Sequence, residues 1–346
     1  MAKLRRSFLA PAMIALSFTA GYAASAQPDE VKTVAGFAIV DGVNARNGNF
    51  SLTYPAFEGD GGIPYRRTYN SFADNRGTFG LGWGSTFDTR LIPLPDGRIA
   101  VRENGNGLIT VYGAPVAGET AVAFETLLIA QEKKATRSDN ILLRLKAPET
   151  PIPLDQSKAL AEQACNDPAV VRVPFGWDRR TCGDGVQHFS TDGRLMGYEV
   201  EGVTVTIRRA HDEIVDIQSS LGGKLFFKKE KFGLRVTDAK GGWYSYGFDK
   251  DGRNTIADSP ASGRIIFSYD AASRLEDVTL IDDTHTHIVY DDKGRVAKKI
   301  ARTGDETAFD YRQEPGTEAA TLVTWHPQGG SPSRSVLYRF VAADGE

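Results

Sequence analysis

His285 and His287 stand two apart in a run of β-forming residues. On a strand both imidazoles would share one face and could chelate a metal. No Cys, Asp or Glu is placed to complete four ligands, so the pair is expected as exposed strand histidines. Gly80-x-Gly82-x-Gly84 has the look of a phosphate loop. It lacks the third spacing, and the Ser85-Thr86-Phe87-Asp88 that follows reads as strand rather than helix. Glycines flanking Trp83 instead suit a bulge or close sheet packing. Asp249-x-Asp251-Gly252 begins like a calcium loop, but Gly252 holds the fourth place rather than the sixth, and Arg253 holds the fifth. No Gly-x-Ser-x-Gly, His-Glu-x-x-His or Gly-x-x-x-x-Gly-Lys occurs. Carboxylates are abundant and evenly spread, and the sequence leaves open whether two of them flank a sugar. Tyr, Trp and Arg side chains could form a carbohydrate-binding surface. A packed sheet face with cross-strand pairs is the favoured reading of the same residues. No catalytic, cofactor-binding or metal site is therefore assigned, and a non-enzyme is expected.

The two cysteines, Cys165 and Cys182, have no Cys-x-x-Cys spacing, which excludes a thioredoxin motif and a zinc site. Their pairing is expected from compartment. Lys3, Arg5 and Arg6 precede a mostly apolar run over residues 8–20, and Ala24-Ser25-Ala26 supplies small residues. This is the order of a cleaved secretory signal, with cleavage between Ala26 and Gln27 and a periplasmic or secreted product. The run is too short for a comfortable membrane span, and no second long one follows. No Cys follows the cleavage site, so no lipid anchor is expected. An oxidising compartment would let the thiols join, closing a loop worth roughly 3 kcal/mol in the chain-entropy model.

The elements that would position any site are short strands. Glycine numbers 36 in 346 residues, which favours many turns and disfavours a helical bundle. A hydrophobic content of 41% supports a buried core. Lys and Arg number 41 against 44 Asp and Glu, a balance that does not suit a nucleic-acid binder. Four stretches are expected: the signal at 1–26, a Gly-, Asn- and aromatic-rich β segment at 27–115, an irregular insert at 116–187, and repeats at 188–346. In the insert, 124–130 and 140–146 read as strands. Residues 156–165, behind an Asp155 cap and before Asn166-Asp167-Pro168, read as one short helix.

The repeats decide the fold. His188-Phe189-Ser190-Thr191-Asp192-Gly193-Arg194-Leu195, Tyr246-Gly247-Phe248-Asp249-Lys250-Asp251-Gly252-Arg253, Phe267-Ser268-Tyr269-Asp270-Ala271-Ala272-Ser273-Arg274-Leu275 and Ile288-Val289-Tyr290-Asp291-Asp292-Lys293-Gly294-Arg295-Val296 share an aromatic, usually Asp, a polar turn and Arg. Gly252, Ser273 and Gly294 are 21 apart. Degraded turns stand at His211-Asp212, Lys231-Phe232 and Pro315-Gly316. Each unit is a hairpin whose Gly supplies positive φ, and hairpins in series share one sheet because none buries its apolar face alone.

These units resemble the YD repeats of the Rhs and teneurin families. Val43-Asn44-Ala45-Arg46-Asn47-Gly48-Asn49-Phe50 is similar to the opening segment of bacterial Rhs proteins, with Asn47 where Thr is common. Gly62-Ile63-Pro64-Tyr65-Arg66-Arg67-Thr68-Tyr69-Asn70-Ser71 and Gly80-Leu81-Gly82-Trp83 through Phe87-Asp88 resemble the segments that follow. The resemblance covers about 34–92 and 185–346. It implies an all-β fold, a spiralling antiparallel β-sheet ribbon of YD-type hairpins forming part of a hollow shell. Complete members enclose a C-terminal toxin or cargo.

The expected function is thus a non-catalytic shell or surface-presentation element linked to toxin delivery or cell-surface contact. The alternative is a carbohydrate-binding adhesin. Expected partners are another YD-repeat chain, a toxin or cargo domain, or a surface glycan, with no nucleic acid and no cofactor. Because the last repeat, 338–346, stops in a turn, the C-terminal edge is expected to be uncapped and the least stable part of the ribbon.

Overall fold

The computed structural model describes residues 28–57, 61, 63, 65–74, 76–105, 107, 109–114, 116, 123, 124, 127, 128, 130, 131, 152, 153, 169–181 and 185–341. The signal cleavage at Ala26 and Gln27, the Cys165–Cys182 pairing, the 156–165 helix and the 140–146 strand all lie outside these residues.

From Ala169–Val173 to Arg334–Val341 the chain forms one meandering sheet, each strand antiparallel to the next. Alternation of side chains sets its two faces. In Lys224–Glu230, Leu225 and Phe227 are buried while Lys224, Phe226 and Lys228 are exposed. Gly263–Tyr269 repeats the pattern, with Ile265 and Phe267 inside and Arg264, Ile266 and Ser268 outside. Period-2 alternation with one apolar face is the signature of a half-buried antiparallel strand. Charged outward positions such as Lys224, Lys228, Arg208 and Arg264 differ from the apolar outer band of a membrane barrel. Among the described residues, no helix is long and apolar enough to cross a membrane.

The turns fall where the repeat reading places them, including the degraded ones at 211–212, 231–232 and 315–316. Gly193, Gly252, Gly294 and Ser273 all take positive φ. In four units a register shift accompanies the aromatic just before the turn, at Phe189, Phe248, Tyr269 and Tyr290. Such a bulge tightens local twist and re-aims the side chain.

The N-terminal segment lies within the curl of this sheet. Ser51–Phe57, Tyr65–Asn70 and Trp83–Ser85 make a small three-stranded sheet, and Arg90–Pro93, Ile99–Arg102 and Ile109–Tyr112 make another. Phe50, Tyr65, Tyr69, Phe79, Trp83 and Phe87 are buried in one core with Phe189, Ile217, Val236, Tyr246, Phe267, Val323 and Phe340 of the meander. Each large side chain removed from water in this way stabilises by roughly 1.5–3 kcal/mol.

Three local expectations are corrected. The described residues of 123–131 are helical rather than strand. Phe124, Leu127 and Leu128 follow an i, i+3, i+4 spacing and pack on Ile92, Leu94 and Ala100, so a helical stripe wins over β propensity. The strand at Trp83–Ser85 ends at once in a 3-10 turn, Thr86–Asp88. The Asp88 carboxylate accepts the Ser85 N–H at 2.9 Å and the Ser85 hydroxyl at 2.8 Å, which closes the chain into that turn. Lastly, the C-terminal strand is not an open edge. Glu30–Ala35 pairs parallel to it, from Glu30 opposite Val336 to Ala35 opposite Val341. The strand order closes on itself, with Glu30–Ala35 between the last strand and the short Ile152–Pro153 strand.

Candidate functional site

One repeated device dominates the molecule. In the 249–253 turn, the Asp249 carboxylate accepts the backbone N–H of Asp251 at 3.0 Å and of Arg253 at 2.9 Å. Its other oxygen accepts the Arg253 Nε–H at 2.6 Å. Asp270 with Arg274 and Asp291 with Arg295 repeat this arrangement. Each guanidinium then lies over the tyrosine of the following unit. Arg253 is 5.4 Å from the Tyr269 ring centroid, Arg274 is 4.5 Å from Tyr290, and Arg295 is 4.2 Å from Tyr311. Each of those tyrosines donates its hydroxyl to the carbonyl just after the preceding Arg: Tyr269 to Asn254 at 2.7 Å, Tyr290 to Leu275 at 2.8 Å, Tyr311 to Val296 at 2.7 Å. The Tyr-Asp pair thus serves two units at once, the Asp folding its own turn and the Tyr fastening the unit before. The Asp249 carboxylate is thus held by donors of its own turn, the Asp251 and Arg253 N–H groups and the Arg253 guanidinium.

The N-terminal segment docks onto four of the sheet's turns, three of them of this kind. The Val296 N–H donates to the Gly48 carbonyl at 3.0 Å, and the Leu275 N–H to the Tyr69 hydroxyl at 2.8 Å. Leu81 donates to the Gly252 carbonyl at 2.9 Å, and Leu91 to the Gly193 carbonyl at 2.8 Å. This segment, a plug formed by residues 40–112, therefore runs against the direction of the repeats. Two glycines explain why its motifs need glycine. A Cβ on Gly48, at φ 80°, would sit 2.3 Å from the Arg295 Cβ. One on Gly80, at φ 103°, would sit 2.8 Å from the Gly252 carbonyl oxygen. The Gly80-Gly82-Gly84 stretch is a close-packing device and not a phosphate loop.

At the centre lies Arg67, 3% exposed. Its guanidinium carbon is 4.6 Å from the Trp83 ring centroid, 5.0 Å from Tyr246, 5.1 Å from Tyr54 and 5.3 Å from Phe267. Two of these rings belong to the plug and two to the meander. Ring quadrupoles attract a desolvated cation by roughly 2 kcal/mol or more. Burial raises the Tyr54 hydroxyl above the ordinary tyrosine range, and the Arg67 charge partly offsets that. This cage was not read from the sequence. The available signal was Tyr65-x-Arg67-x-Tyr69, whose alternation puts Arg67 on the face of two buried tyrosines.

The other candidates disperse. His287 Nδ1 is hydrogen-bonded to Asp277 at 2.8 Å across the strand pair, while His285 is exposed. His188 and Asp178 form the same kind of pair at 2.8 Å. Among the described residues no group of His, Cys, Asp and Glu could hold a metal ion. An open cleft of about 350 Å³ lies where Ser71, Phe72 and Asp74 of the plug face Ser273, Arg274 and Lys293 of two turns.

Residues 40–109 match the model of a family described as a domain of unknown function, DUF6531. The matched residues lie within the segment that docks inside the sheet and include Leu91, which contacts the 191–194 turn. No curated protein matches this chain. Among solved structures, the chain is similar to the crystal structure of TcdB2-TccC3-TEV, at 10% identity and a TM-score of 0.23, over 78% of this chain and 13% of that one. It is also similar to a porin-like protein from Bacteroides uniformis ATCC 8492, at 12% identity and a TM-score of 0.18, over 51% of this chain and 91% of that one. The chain thus spans a small fraction of the first of these.

Proposed function

We propose that this chain is an exported, non-catalytic protein of the Rhs/YD-repeat family that presents an attached or associated partner at the cell surface, in connection with toxin delivery or cell contact. The observation that carries this reading is the plug. Residues 40–112 fill the curl of the repeat sheet with their own aromatic side chains and dock on its turns. A sheet so filled has its inner face taken up by its own chain and its outer face turned to solvent, which suits presentation better than enclosure. The Rhs-like motifs Asn47-Gly48-Asn49-Phe50 and Gly80-Leu81-Gly82-Trp83 supply two of those docking contacts, through Gly48 and Leu81. The polar machinery, part-buried Asp–Arg turns and a buried arginine in an aromatic cage, has an architectural explanation, which supports a protein without catalysis.

The test is a folded reporter domain fused after Glu346 and exported from cells. Presentation predicts that added protease removes the reporter while a core spanning about 28–341 survives. A reporter protected inside the fold would overturn the reading, as would full retention of the chain in the cytoplasm with its first residues intact.

A second reading, glycan binding, is favoured by the cleft between plug and turns, where the half-exposed Phe72 ring lies beside Asp74 and Lys293. An aromatic face with flanking polar groups matches sugar chemistry. A glycan array with Phe72→Ala as the control separates the two.

A further inference from the structure

The strand that closes the sheet is held unlike every other strand in it. In the described sheet, the strand pairs along the meander join chain neighbours in antiparallel fashion, whereas Glu30–Ala35 lies parallel to Arg334–Val341, some three hundred residues away. Parallel pairing is slightly weaker per residue. Little of the closing strand is buried. Val31, Lys32, Thr33 and Ala35 are exposed, and Val34 alone among its apolar side chains packs against the core. Its side-chain ties are exposed polar ones: Glu30 with Arg334 at 3.0 Å, the Asp29 carboxylate accepting the Ser335 N–H at 2.5 Å, and the Lys32 ammonium 5.9 Å from the Tyr338 ring. Ties of that kind are weak and fade with salt.

The chain then turns at Gly36, where φ is 98° and an added Cβ would meet nothing within 4 Å. At the hinge itself the Gly36 carbonyl accepts from the Arg46 guanidinium at 2.9 Å, and the segment is next held at Ala38, whose carbonyl accepts the Ala45 N–H at 2.8 Å, and at the buried Val40. Around this hinge Val31, Phe37 and Ile39 are 48%, 49% and 52% exposed. Three large apolar residues left open within nine positions point to a surface that another molecule covers.

We infer that Glu30–Ala35 is an exchangeable clasp: it leaves the edge of its own Arg334–Val341 and pairs with that edge in a second copy of this chain. The register, from Glu30 opposite Val336 to Ala35 opposite Val341, points to the occupant. The strand whose charges fit this edge is Glu30–Ala35 itself, and a second copy supplies the same sequence. Exchange leaves strand pairing intact in both copies, while the two hinges are brought together and Val31, Phe37 and Ile39 are covered. This is reciprocal strand swapping, a low-cost route to a two-fold dimer. It stands apart from the proposed presentation role, since it concerns only how copies associate.

The test uses the full chain, followed by light scattering over a concentration series. Gly36→Val forbids the positive φ that the closed monomer needs and spares an extended hinge. It is expected to tighten dimerisation by about tenfold, the size of one strained backbone position. Deletion of residues 30–35 is expected to abolish self-association of that variant, yet the deleted chain should form a one-to-one complex with the Gly36→Val chain, which donates the missing strand. Wild-type and Gly36→Val chains that both stay monomeric throughout would overturn the inference. So would a deleted chain that dimerises as well as wild type. Circular dichroism and thermal melting of the deleted chain establish that it is folded before its association is scored, and a folded deleted chain that fails to capture the Gly36→Val chain also overturns it.

Discussion

The indole N–H of Trp83 donates to the hydroxyl of Tyr269 at 3.0 Å, and that hydroxyl donates in turn to the Asn254 carbonyl at 2.7 Å. A residue of the plug and the signature tyrosine of a repeat therefore share one hydrogen-bonded chain, across 186 positions of sequence. Tyr269→Phe removes the middle of this chain and leaves the buried Trp83 N–H without its acceptor. The expected loss is about 1–3 kcal/mol by urea unfolding. Tyr198→Phe is the contrast. The Tyr198 hydroxyl is buried with no hydrogen-bond partner, so its removal should be neutral or mildly stabilising.

Arg67 tests the cage. Arg67→Ala removes a cation that four rings surround and leaves a void, and should cost roughly 3 kcal/mol or more. Arg67→Met keeps most of the volume without the charge and should cost less. Arg67→Lys should be worse than Met, because a compact, strongly hydrated ammonium neither stacks like the planar guanidinium nor loses water cheaply. Unfolding followed by tryptophan fluorescence ranks the three, and a Lys variant as stable as wild type would count against the cage.

Ser273 occupies the turn position held by Gly252 and Gly294, and it does so at φ 64°. A non-glycine residue there carries left-handed strain of roughly 1 kcal/mol. Ser273→Gly should raise the melting temperature, and Gly294→Ser should lower it.

The Asp–Arg turns predict an acid limb. Partial burial alone would raise the Asp249 carboxyl, but the N–H and guanidinium of Arg253 outweigh it and hold it below the usual aspartate range. Asp291 is lowered in the same way by Arg295. The unfolded chain therefore takes up protons first as pH falls. Stability from these groups is full above about pH 4 and is lost as pH falls from there through the lowered native values. Urea unfolding from neutral pH downward should show this, and Asp249→Asn with Asp291→Asn should flatten the slope in that window.

Burial also predicts an alkaline limb. It pushes the Tyr69 hydroxyl up to about 12, and the Tyr198 hydroxyl likewise to about 12. A raised native value means that stability is full below about pH 10 and is lost as pH rises from there through 12. Ultraviolet titration should show delayed tyrosinate formation in the native protein, released at once in denaturant.

What the sequence alone determined was the repeat turn, whose short-range chemistry recurs along the chain, whereas the equally local but unrepeated Ser85–Asp88 closure was expected as strand. Asp270 folds its turn through bonds to Ala272 and Arg274, two and four residues on, and the spacing of Gly252, Ser273 and Gly294 follows from the same local closure. Such contacts recur with the repeat, so the all-β ribbon and the degraded turns at 211–212 and 231–232 were legible in the pattern. The tertiary structure decided the rest. That Leu128 lies on a helix depended on Ile92, Leu94 and Ala100 offering a surface for it. That Arg67 points into four rings depended on bringing Tyr246 and Phe267 across to meet Tyr54 and Trp83. That the last strand is covered depended on Glu30–Ala35 reaching the far end of the chain. These contacts close long loops at an entropic cost that only the assembled core offsets, and no local spacing encodes which distant partner will complete them.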